Sequence, residues 1–346
     1  SFVSRVVGLF RDRLFAHLFG AGDVLDAYYT AFRIPDLFYN IIIVGAISAS
    51  FIPAFLAIRA RSASAAWRFV NRLVTMIGLA TTLLGVAGMM AAPALIPRLA
   101  PGFGAEKIAL TVTLTRILFL SPLILGVSSI FGGVLQSYKN FLVYATAPIV
   151  YNVGIILGAV IFVPRYGLTG LAIGVILGAL LHLAIQLPSL YGHGFRFRPT
   201  LALRDETIKK VGVHFLPRAM SLAMAELNII GITFLASRLG SGSIAAFQFA
   251  NNLMYLPIHM IGVSFAIAAF PTLSSLAAMN DMKAFRAKLS LIIRQILFFS
   301  VPITILFIEL RAKIIRATFG SGAFDWHDTI TTANLTMAFA VWFVVS

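Results

Sequence analysis

The stretch SRVVGLFRDRLFAHLF, residues 4–19, has the apolar character of a membrane helix, yet it carries Arg5, Arg11, Asp12 and Arg13. A charged side chain at the centre of a bilayer costs about 2.5–3.5 kcal/mol on insertion scales. These residues are therefore expected on a helix face that avoids lipid.

The spacing of the polar residues places nearly all of them on one face. At about 100° per residue, an arc about 120° wide contains Ser4, Arg5, Gly8, Arg11 and Asp12. Arg13 alone lies on the apolar remainder, at the helix end, where its side chain can reach the interface. We expect the arc to face the interior of a helical bundle or a wet cavity. An internal Arg–Asp pair that only fixes packing is the alternative.

The composition is that of a polytopic membrane protein. The 346 residues are 60% hydrophobic and 11% charged, whereas soluble domains have about 45–50% apolar and about 25% charged residues. The net charge of +15 does not indicate a nucleic-acid partner, because the basic residues lie between apolar runs and are not massed on one polar segment. The absence of cysteine excludes a disulfide framework and thiol chemistry.

Apolar runs long enough to span a membrane, about 20 residues each, recur along the chain. They are 1–18, 27–57, 73–97, 108–137, 142–163, 167–191, 211–237, 244–277, 287–310 and 329–346. Strand-period alternation is absent, so the expected fold is all-α, a polytopic transmembrane helical bundle. Because the chain begins inside a helical pattern and ends directly after an apolar run, we expect it to be a fragment missing both ends.

Basic residues concentrate in alternate loops. Loops 58–72, 138–141, 192–210 and 278–286 hold 12 of the 27 Lys and Arg residues. The intervening loops hold fewer, chiefly Arg98, Lys107, Arg165 and Arg238, although 311–316 forms a further basic cluster. The positive-inside bias predicts that these four loops, and with them the N-terminus, are cytoplasmic.

The two halves of the chain resemble each other. LFGAGDVLDAYYTAF (18–32) and RLGSGSIAAFQFANN (238–252) both open a polar-studded helix with a turn of small residues. Shared hydrophobic composition could mimic part of this likeness, but the common order of features favours an internal repeat, as in transporters with a site between two units. The predicted organisation is a first lobe at 1–191, an amphipathic cytoplasmic linker at 192–210, and a partial second lobe at 211–346.

Two further helices carry polar faces. At spacings of three or four, the second run presents Asp26, Tyr29, Thr30, Arg33, Asp36 and Asn40, with Pro35 expected to kink it. The corresponding helix of the second half presents Gln248, Asn251, Asn252, Tyr255 and His259, and the helix before it carries Arg218 and Glu226. A charge-paired interhelical contact is the alternative to a site. Glu226 could be a coupling-ion ligand, although pairing with an arginine is favoured.

The sequence holds no enzyme motif, so no catalytic residue is expected. The histidines are scattered, so no metal site or cofactor is expected either. Gly154 and Gly158, like Gly170, Gly174 and Gly178, are spaced by four and predict close helix packing. Arginines at membrane depth instead favour transport of an anionic substrate, most simply a phosphate, by alternating access.

Several motifs resemble the MurJ/MviN family of lipid II flippases, within the multidrug/oligosaccharidyl-lipid/polysaccharide exporter superfamily. They are SRVVGLFRD, FGAG, DAYYTAFRIPDL and GAISASFIP near the start, then PGF (101–103), GGVLQSYKNFLVYATAPIVYN (132–152), PR (217–218) and FGSGAFD (319–325). The resemblance implies a fourteen-helix fold with two pseudo-symmetric six-helix lobes, of which this chain would hold the first and a truncated second. It also implies transport of lipid-linked peptidoglycan precursor across the bacterial inner membrane.

The resemblance also implies site residues. Ser4, Arg5, Arg11 and Asp26 fall where the family has cavity residues needed for transport, and Arg33 falls where a basic residue is common. The arginines are expected to meet the pyrophosphate. Tyr39 and Asn40, and in the second half Asn251 and Asn252, stand where many members have arginines, so the cavity would be less cationic.

The resulting hypothesis is a flippase for a polyprenyl-pyrophosphate-linked cell-wall precursor, lipid II, with Arg5, Arg11 and Arg33 gripping the pyrophosphate. Arg218, Glu226, Asn251 and Asn252 are the candidate second-lobe cavity residues. Expected partners are the lipid-linked glycan, membrane lipids, and a coupling ion or the membrane potential. The alternatives are an exporter of another lipid-linked oligosaccharide and a non-transporting membrane scaffold.

Overall fold

The computed structural model describes residues 2–41, 51–200 and 206–345. Within these ranges it leaves out the side chains of Phe2, 206–219, Val263, Val344 and Val345. In the described ranges the regular elements are all helical and no strand is present. The prediction of an all-α chain is confirmed.

The helices are labelled in chain order. They are α1 (Phe2–Phe19), α2 (Asp23–Tyr39), α3 (Phe51–Arg61), α4 (Ala63–Leu99), α5 (Ala105–Leu118), α6 (Leu120–Ser137), α7 (Phe141–Leu157), α8 (Val163–Tyr166), α9 (Thr169–Ala184), α10 (Leu187–Gly192), α11 (Glu206–Ala236), α12 (Ser243–Pro257), α13 (Ser264–Ala278), α14 (Met282–Glu309), α15 (Arg311–Phe319) and α16 (Trp326–Val345). Two π-helical segments, Gly158–Phe162 and Ile258–Val263, join α7 to α8 and α12 to α13.

Six helical stretches of the described chain are long and apolar enough to cross a membrane, which confirms a polytopic membrane protein. They are Ala63–Leu99, Ala105–Ser137, Phe141–Tyr166, Thr169–Gly192, Ser243–Ala278 and Met282–Glu309. The other four predicted runs, 1–18, 27–57, 211–237 and 329–346, do not reach this measure within the described residues. For α1 the reason is its charged arc, which lowers the hydropathy of the helix.

The predicted loop 58–72 is wrong, because it is almost entirely helical. α3 continues to Arg61, and α4 begins at Ala63 with Ser62 as its N-cap, whose hydroxyl oxygen accepts from Ala65 N at 3.3 Å. A serine cap followed by alanines is a strong helix start. Arg68 and Arg72 therefore lie on the first turns of a long helix and not in a loop. The predicted linker at 192–210 is likewise shorter, since α11 already begins at Glu206.

The chain divides into two compact units. Unit 1 contains Ser1–Arg11 and Asp23–Ser241, and unit 2 contains Asp12–Gly22 and Gly242–Ser346. Their boundary near residue 241 differs from the predicted lobe boundary near 191–211, because α11 belongs to unit 1. The division into two pseudo-symmetric lobes stays a prediction.

Aromatic side chains fill the core of each unit. In unit 1, Phe51 stacks on Phe69 with ring centroids 5.9 Å apart, and Phe131 contacts Phe195 at 5.1 Å. In unit 2, Phe249 lies 5.0 Å from Phe319. These rings are buried. Burial of large apolar side chains stabilises the packing of the helices within each unit.

In unit 1, Gly154 of α7 and Gly158 of the π-helical segment after it pack against Gly178 and Gly174 of α9, as their spacing by four predicted. We call this contact the glycine seam. A methyl group at Gly158 would lie 2.6 Å from Gly174 Cα, and one at Gly178 would overlap the Tyr151 carbonyl oxygen. The two backbones therefore meet with no room for a side chain, which maximises van der Waals contact between the helices.

We expect Gly178→Ala to destabilise the protein by about 1–3 kcal/mol, the usual cost of overpacking a close contact. The measurement is the thermal unfolding midpoint of the detergent-purified protein. Gly231→Ala on α11 is the matched control, because nothing lies within 4 Å of the added methyl group. An unchanged midpoint for Gly178→Ala would contradict the seam.

Candidate functional site

The polar arc of α1 begins in unit 1, where it faces α7. The Arg11 guanidinium Nη1 donates to Asn152 Oδ1 at 3.0 Å, and a methyl group at Gly8 would lie 3.9 Å from the same oxygen. The Asn152 amide is itself oriented, because its Nδ2 donates to Pro148 O at 2.9 Å. Gly8 and Arg11 therefore share the face that sequence reasoning gave to the arc.

Arg5 and Ser4 lie one to two turns earlier on α1, and both are half-buried. Within the part of the chain that the structure describes, no hydrogen bond or ion pair engages the Arg5 side chain. A half-buried guanidinium retains its five N–H donors for an incoming anion.

Asp12 belongs to unit 2 and is only 2% exposed. Its Oδ2 accepts from Asn252 Nδ2 at 2.8 Å, and Asn252 Oδ1 in turn accepts from Gln248 Nε2 at 2.8 Å. This chain of amides leads from α12 to the carboxylate and supplies the hydrogen bonds that a buried charge needs. Within unit 2, Asn252 of the predicted polar face of α12 thus contacts Asp12 directly, and Gln248 of the same face orients Asn252.

The remaining arginine of the stretch behaves differently. Arg13 is exposed, and its Nη1 donates to Ala317 O, 3.0 Å away, at the C-terminal end of α15. A cation at a helix C-terminus is favourable because carbonyl oxygens there lack intrahelical partners. The expectation that Arg13 would leave the apolar face at the helix end agrees with this contact.

Asp26 lies in a second polar cluster of unit 1, with a partner that the sequence did not predict. The Lys107 ammonium lies 2.7 Å from Asp26 Oδ2 and 2.7 Å from Asp23 Oδ1, and 4.0 Å from the centre of the Phe103 ring. Ser241 Oγ also donates to Asp23 Oδ1 at 2.7 Å. Asp26 is 2% exposed, so Lys107 compensates a buried charge.

The same cluster borders a cavity of about 740 Å³ lined by Asp23, Lys107 and Ser241. Hydrogen bonds from the Lys107 ammonium and the Ser241 hydroxyl lower the pKa of Asp23 below its usual range. The carboxylate consequently stays ionised under all physiological conditions.

Arg33, Asp36 and Glu226 form a third cluster, between α2 and α11 of unit 1. Arg33 Nε donates to Thr233 Oγ1 at 3.0 Å, and the Arg33 charge interacts with those of Asp36 and Glu226. Asn40 Nδ2 donates to Glu226 Oε1 at 2.7 Å. Glu226 is thus engaged with Asn40 and lies near Arg33, as the charge-paired alternative expected.

Two further predicted second-lobe residues are Arg218 and Asn251. The side chain of Arg218 lies outside the described residues, and Asn251 is half-buried on α12. Among the residues that the structure describes, no group of three or more His, Cys, Asp or Glu side chains could hold a metal ion.

Comparison with known proteins identifies the family. The sequence matches the family model of the lipid II flippase MurJ over residues 15–344. The chain belongs to the MurJ family. The proteins of this family are membrane transporters, so this chain is a membrane transporter.

Two curated MurJ proteins are similar over almost the whole chain. The lipid II flippase MurJ of Burkholderia cenocepacia is 30% identical over 348 residues, covering 98% of this chain and 67% of that protein. A probable lipid II flippase MurJ of Rickettsia prowazekii is 29% identical over 344 residues, covering 99% of this chain and 68% of that protein. The chain spans about two thirds of the length of these relatives.

Solved structures agree with the MurJ fold. A lipid II flippase MurJ in an inward closed conformation has a TM-score of 0.82 at 26% identity, covering 99% of this chain and 72% of that one. An inward-facing multidrug transporter of the MATE family has a TM-score of 0.79 at 16% identity, covering 99% and 78%. The second likeness shows a shared fold only.

Sequence reasoning missed Asn152, Lys107 and Thr233 as partners of the candidate residues. A single asparagine in the apolar run YNVGIILGAV was a usable signal, because an amide at that depth needs a partner. Lys107 was predicted to lie in a loop, so no buried partner was expected for it. Thr233 gave no signal, because a threonine hydroxyl in a helix commonly donates to the carbonyl of its own helix, as Thr233 Oγ1 does to Ile229 O at 2.9 Å.

Removing the Lys107 ammonium would leave Asp26 buried without its cation. We expect Lys107→Met to lower the unfolding free energy by about 3–5 kcal/mol, and Asp26→Asn in the same protein to restore most of it. Thermal unfolding of the purified variants measures both effects. A Lys107→Met protein that melts like the wild type would contradict the assignment.

Acid supplies an independent check on this cluster. The pKa of Asp23 is lowered on folding, so its stabilising contribution is complete above about pH 4 and is lost as the pH falls through the lowered value. The difference in melting temperature between the wild type and Asp23→Asn should therefore shrink on acidification below pH 4.

Proposed function

We propose that this chain moves lipid II, a polyprenyl-pyrophosphate-linked precursor, across the bacterial inner membrane for peptidoglycan synthesis. The observation that carries the proposal is the match to the lipid II flippase family over residues 15–344. The relatives named as lipid II flippases are longer proteins, and this chain spans about two thirds of their length. Alternating access supplies the mechanism, since a lipid headgroup must be exposed to one side at a time.

In this proposal the polar arc of α1 binds the pyrophosphate. Arg5 and Arg11 are two turns apart on the polar arc, and Ser4 adds a hydroxyl beside them. A guanidinium binds phosphate oxygens through paired N–H donors, and the bond to Asn152 holds Arg11 in a fixed orientation. Preorganised donors lose less entropy on binding than free side chains do.

Arg33 and Asp26 act through the clusters on α2. Arg33 is held by Thr233 and offers a further positive charge, while Asp26 holds Lys107. For the second half of the chain, Arg218, Glu226, Asn251 and Asn252 are the residues proposed to take part in transport. Asn252 holds Asp12 in position, and Glu226 orients Asn40.

The proposed membrane arrangement places the N-terminus in the cytoplasm. It rests on the basic residues around Arg61, Arg68, Lys139 and Arg196, which the positive-inside bias assigns to that side. A coupling ion or the membrane potential is proposed to drive the cycle, since moving a charged headgroup across the bilayer needs an energy source.

Complementation tests the function and its site together. The full-length protein should support growth of a bacterium depleted of its own MurJ, and an Arg5→Ala, Arg11→Ala double variant should not, because both anchors of the pyrophosphate are gone. Colony counts and membrane expression are measured side by side.

Arg13→Ala is the matched control, since it removes an arginine of the same helix from an exposed position. Growth of the double variant would remove the site assignment. Failure of a well-expressed wild-type protein would favour the exporter of a different lipid-linked oligosaccharide.

The absence of cysteine makes the topology directly testable. In a protein carrying Arg165→Cys, a membrane-impermeant maleimide should label intact cells; with Lys139→Cys it should label only after the membrane is permeabilised. Both side chains are exposed, so accessibility to reagent depends on the side of the membrane alone. The reverse pattern would refute a cytoplasmic N-terminus.

A further inference from the structure

An apolar groove on unit 1 lies apart from all the polar clusters described above. It has a volume of about 450 Å³ and runs between α4, α6, α10 and the segment that follows α10. Its lining includes Val74, Gly78, Val127, Tyr191, Phe195 and Phe197. Tyr191 and Phe197 are about half exposed, so the groove opens to the surroundings of the protein.

One wall of the groove is formed by residues 194–200, a segment without regular secondary structure, which we call the strap. Asn71 on α4 fixes it twice: Asn71 Nδ2 donates to Arg196 O at 2.9 Å, and Asn71 Oδ1 accepts from Arg198 N at 2.9 Å. Phe195 is buried at 1% exposure and anchors the strap in the aromatic core. The wall is therefore a built part of unit 1.

The strap places cations at the edge of the apolar groove. Arg196 and Arg198 flank Phe197 in the chain and are exposed, and the Arg196 guanidinium lies 5.7 Å from the Tyr191 ring centre. No Asp or Glu occurs in residues 74–82, 123–131 or 187–200, which contain the groove lining and the strap. An apolar channel with a cationic edge complements a molecule with an apolar tail and an anionic head.

The length of the groove indicates which lipid fits. The lining residues of α4 run from Val74 to Thr82, which is about 12 Å along a helix at about 1.5 Å per residue. One leaflet of the hydrocarbon core is about 15 Å thick. The groove thus matches an acyl chain confined to one leaflet, whereas a long polyprenyl chain would extend far beyond it.

We propose that the groove binds one acyl chain of an anionic phospholipid whose phosphate is held by Arg196 and Arg198. Trp67 contacts both Phe195 and Tyr138 and belongs to the aromatic cluster beneath this rim, a composition typical of the membrane interface. No residue of the groove lies on the polar arc of α1, so the proposal does not rest on the pyrophosphate site.

Native mass spectrometry of the detergent-purified protein tests this proposal without any transport substrate. Phosphatidylglycerol and phosphatidylcholine with identical acyl chains are titrated separately. We expect one phosphatidylglycerol to be retained about tenfold more tightly than phosphatidylcholine, and the Arg196→Ala, Arg198→Ala double variant to lose that preference.

Two matched controls separate a defined site from general surface charge. Arg286→Ala, Arg294→Ala removes the same number of exposed charges from α14 of unit 2, which contributes no residue to the groove, and should retain the wild-type preference. Gly78→Leu places a side chain in the groove and should abolish retention, whereas Gly231→Leu should not. An added Cβ at either glycine meets no atom within 4 Å, so we expect both variants to fold, which their thermal unfolding midpoints check.

Three outcomes would overturn the proposal. They are equal retention of the two phospholipids by the wild type, equal losses in the two arginine double variants, and retention by Gly78→Leu at the wild-type level. Preferential binding of a polyprenyl phosphate over phosphatidylglycerol would overturn the assignment of the occupant.

Discussion

The cost of taking charge out of water constrains this structure more than any other term. α1 places Arg11 and Asp12 side by side in an otherwise apolar protein, and each receives an amide partner within its own unit, Asn152 for the arginine and Asn252 for the carboxylate. Each amide orients the charged group that it contacts. An arginine that is already held in one orientation loses less conformational entropy when it binds an anion.

The same constraint accounts for the clusters on α2. Asp26 is compensated by Lys107, and the charges of Arg33, Asp36 and Glu226 lie together against α11. The contacts of Arg33 with Thr233 and of Asn40 with Glu226 join α2 to α11, which belongs to unit 1. The predicted lobe boundary lies before α11, so these polar contacts cross it, and the division into two lobes stays a prediction.

The sequence was sufficient for the features that depend on local spacing. The arc of α1, the glycine contacts and the membrane character follow from periodicity and composition. The partners Asn152, Lys107 and Thr233 could not be derived, because they come from helices between 81 and 200 residues away in the chain. The start of α4 was missed for a different reason: its basic residues were interpreted as a loop, although Ser62 and the alanines after it carry a capping signal.

The glycine seam has a mechanical consequence. Backbone atoms of α7 and α9 pack directly against each other, so a shift between the two helices would disrupt these close contacts. Arg11 is hydrogen-bonded to Asn152 on α7, so a displacement of Arg11 from this helix pair would break that hydrogen bond.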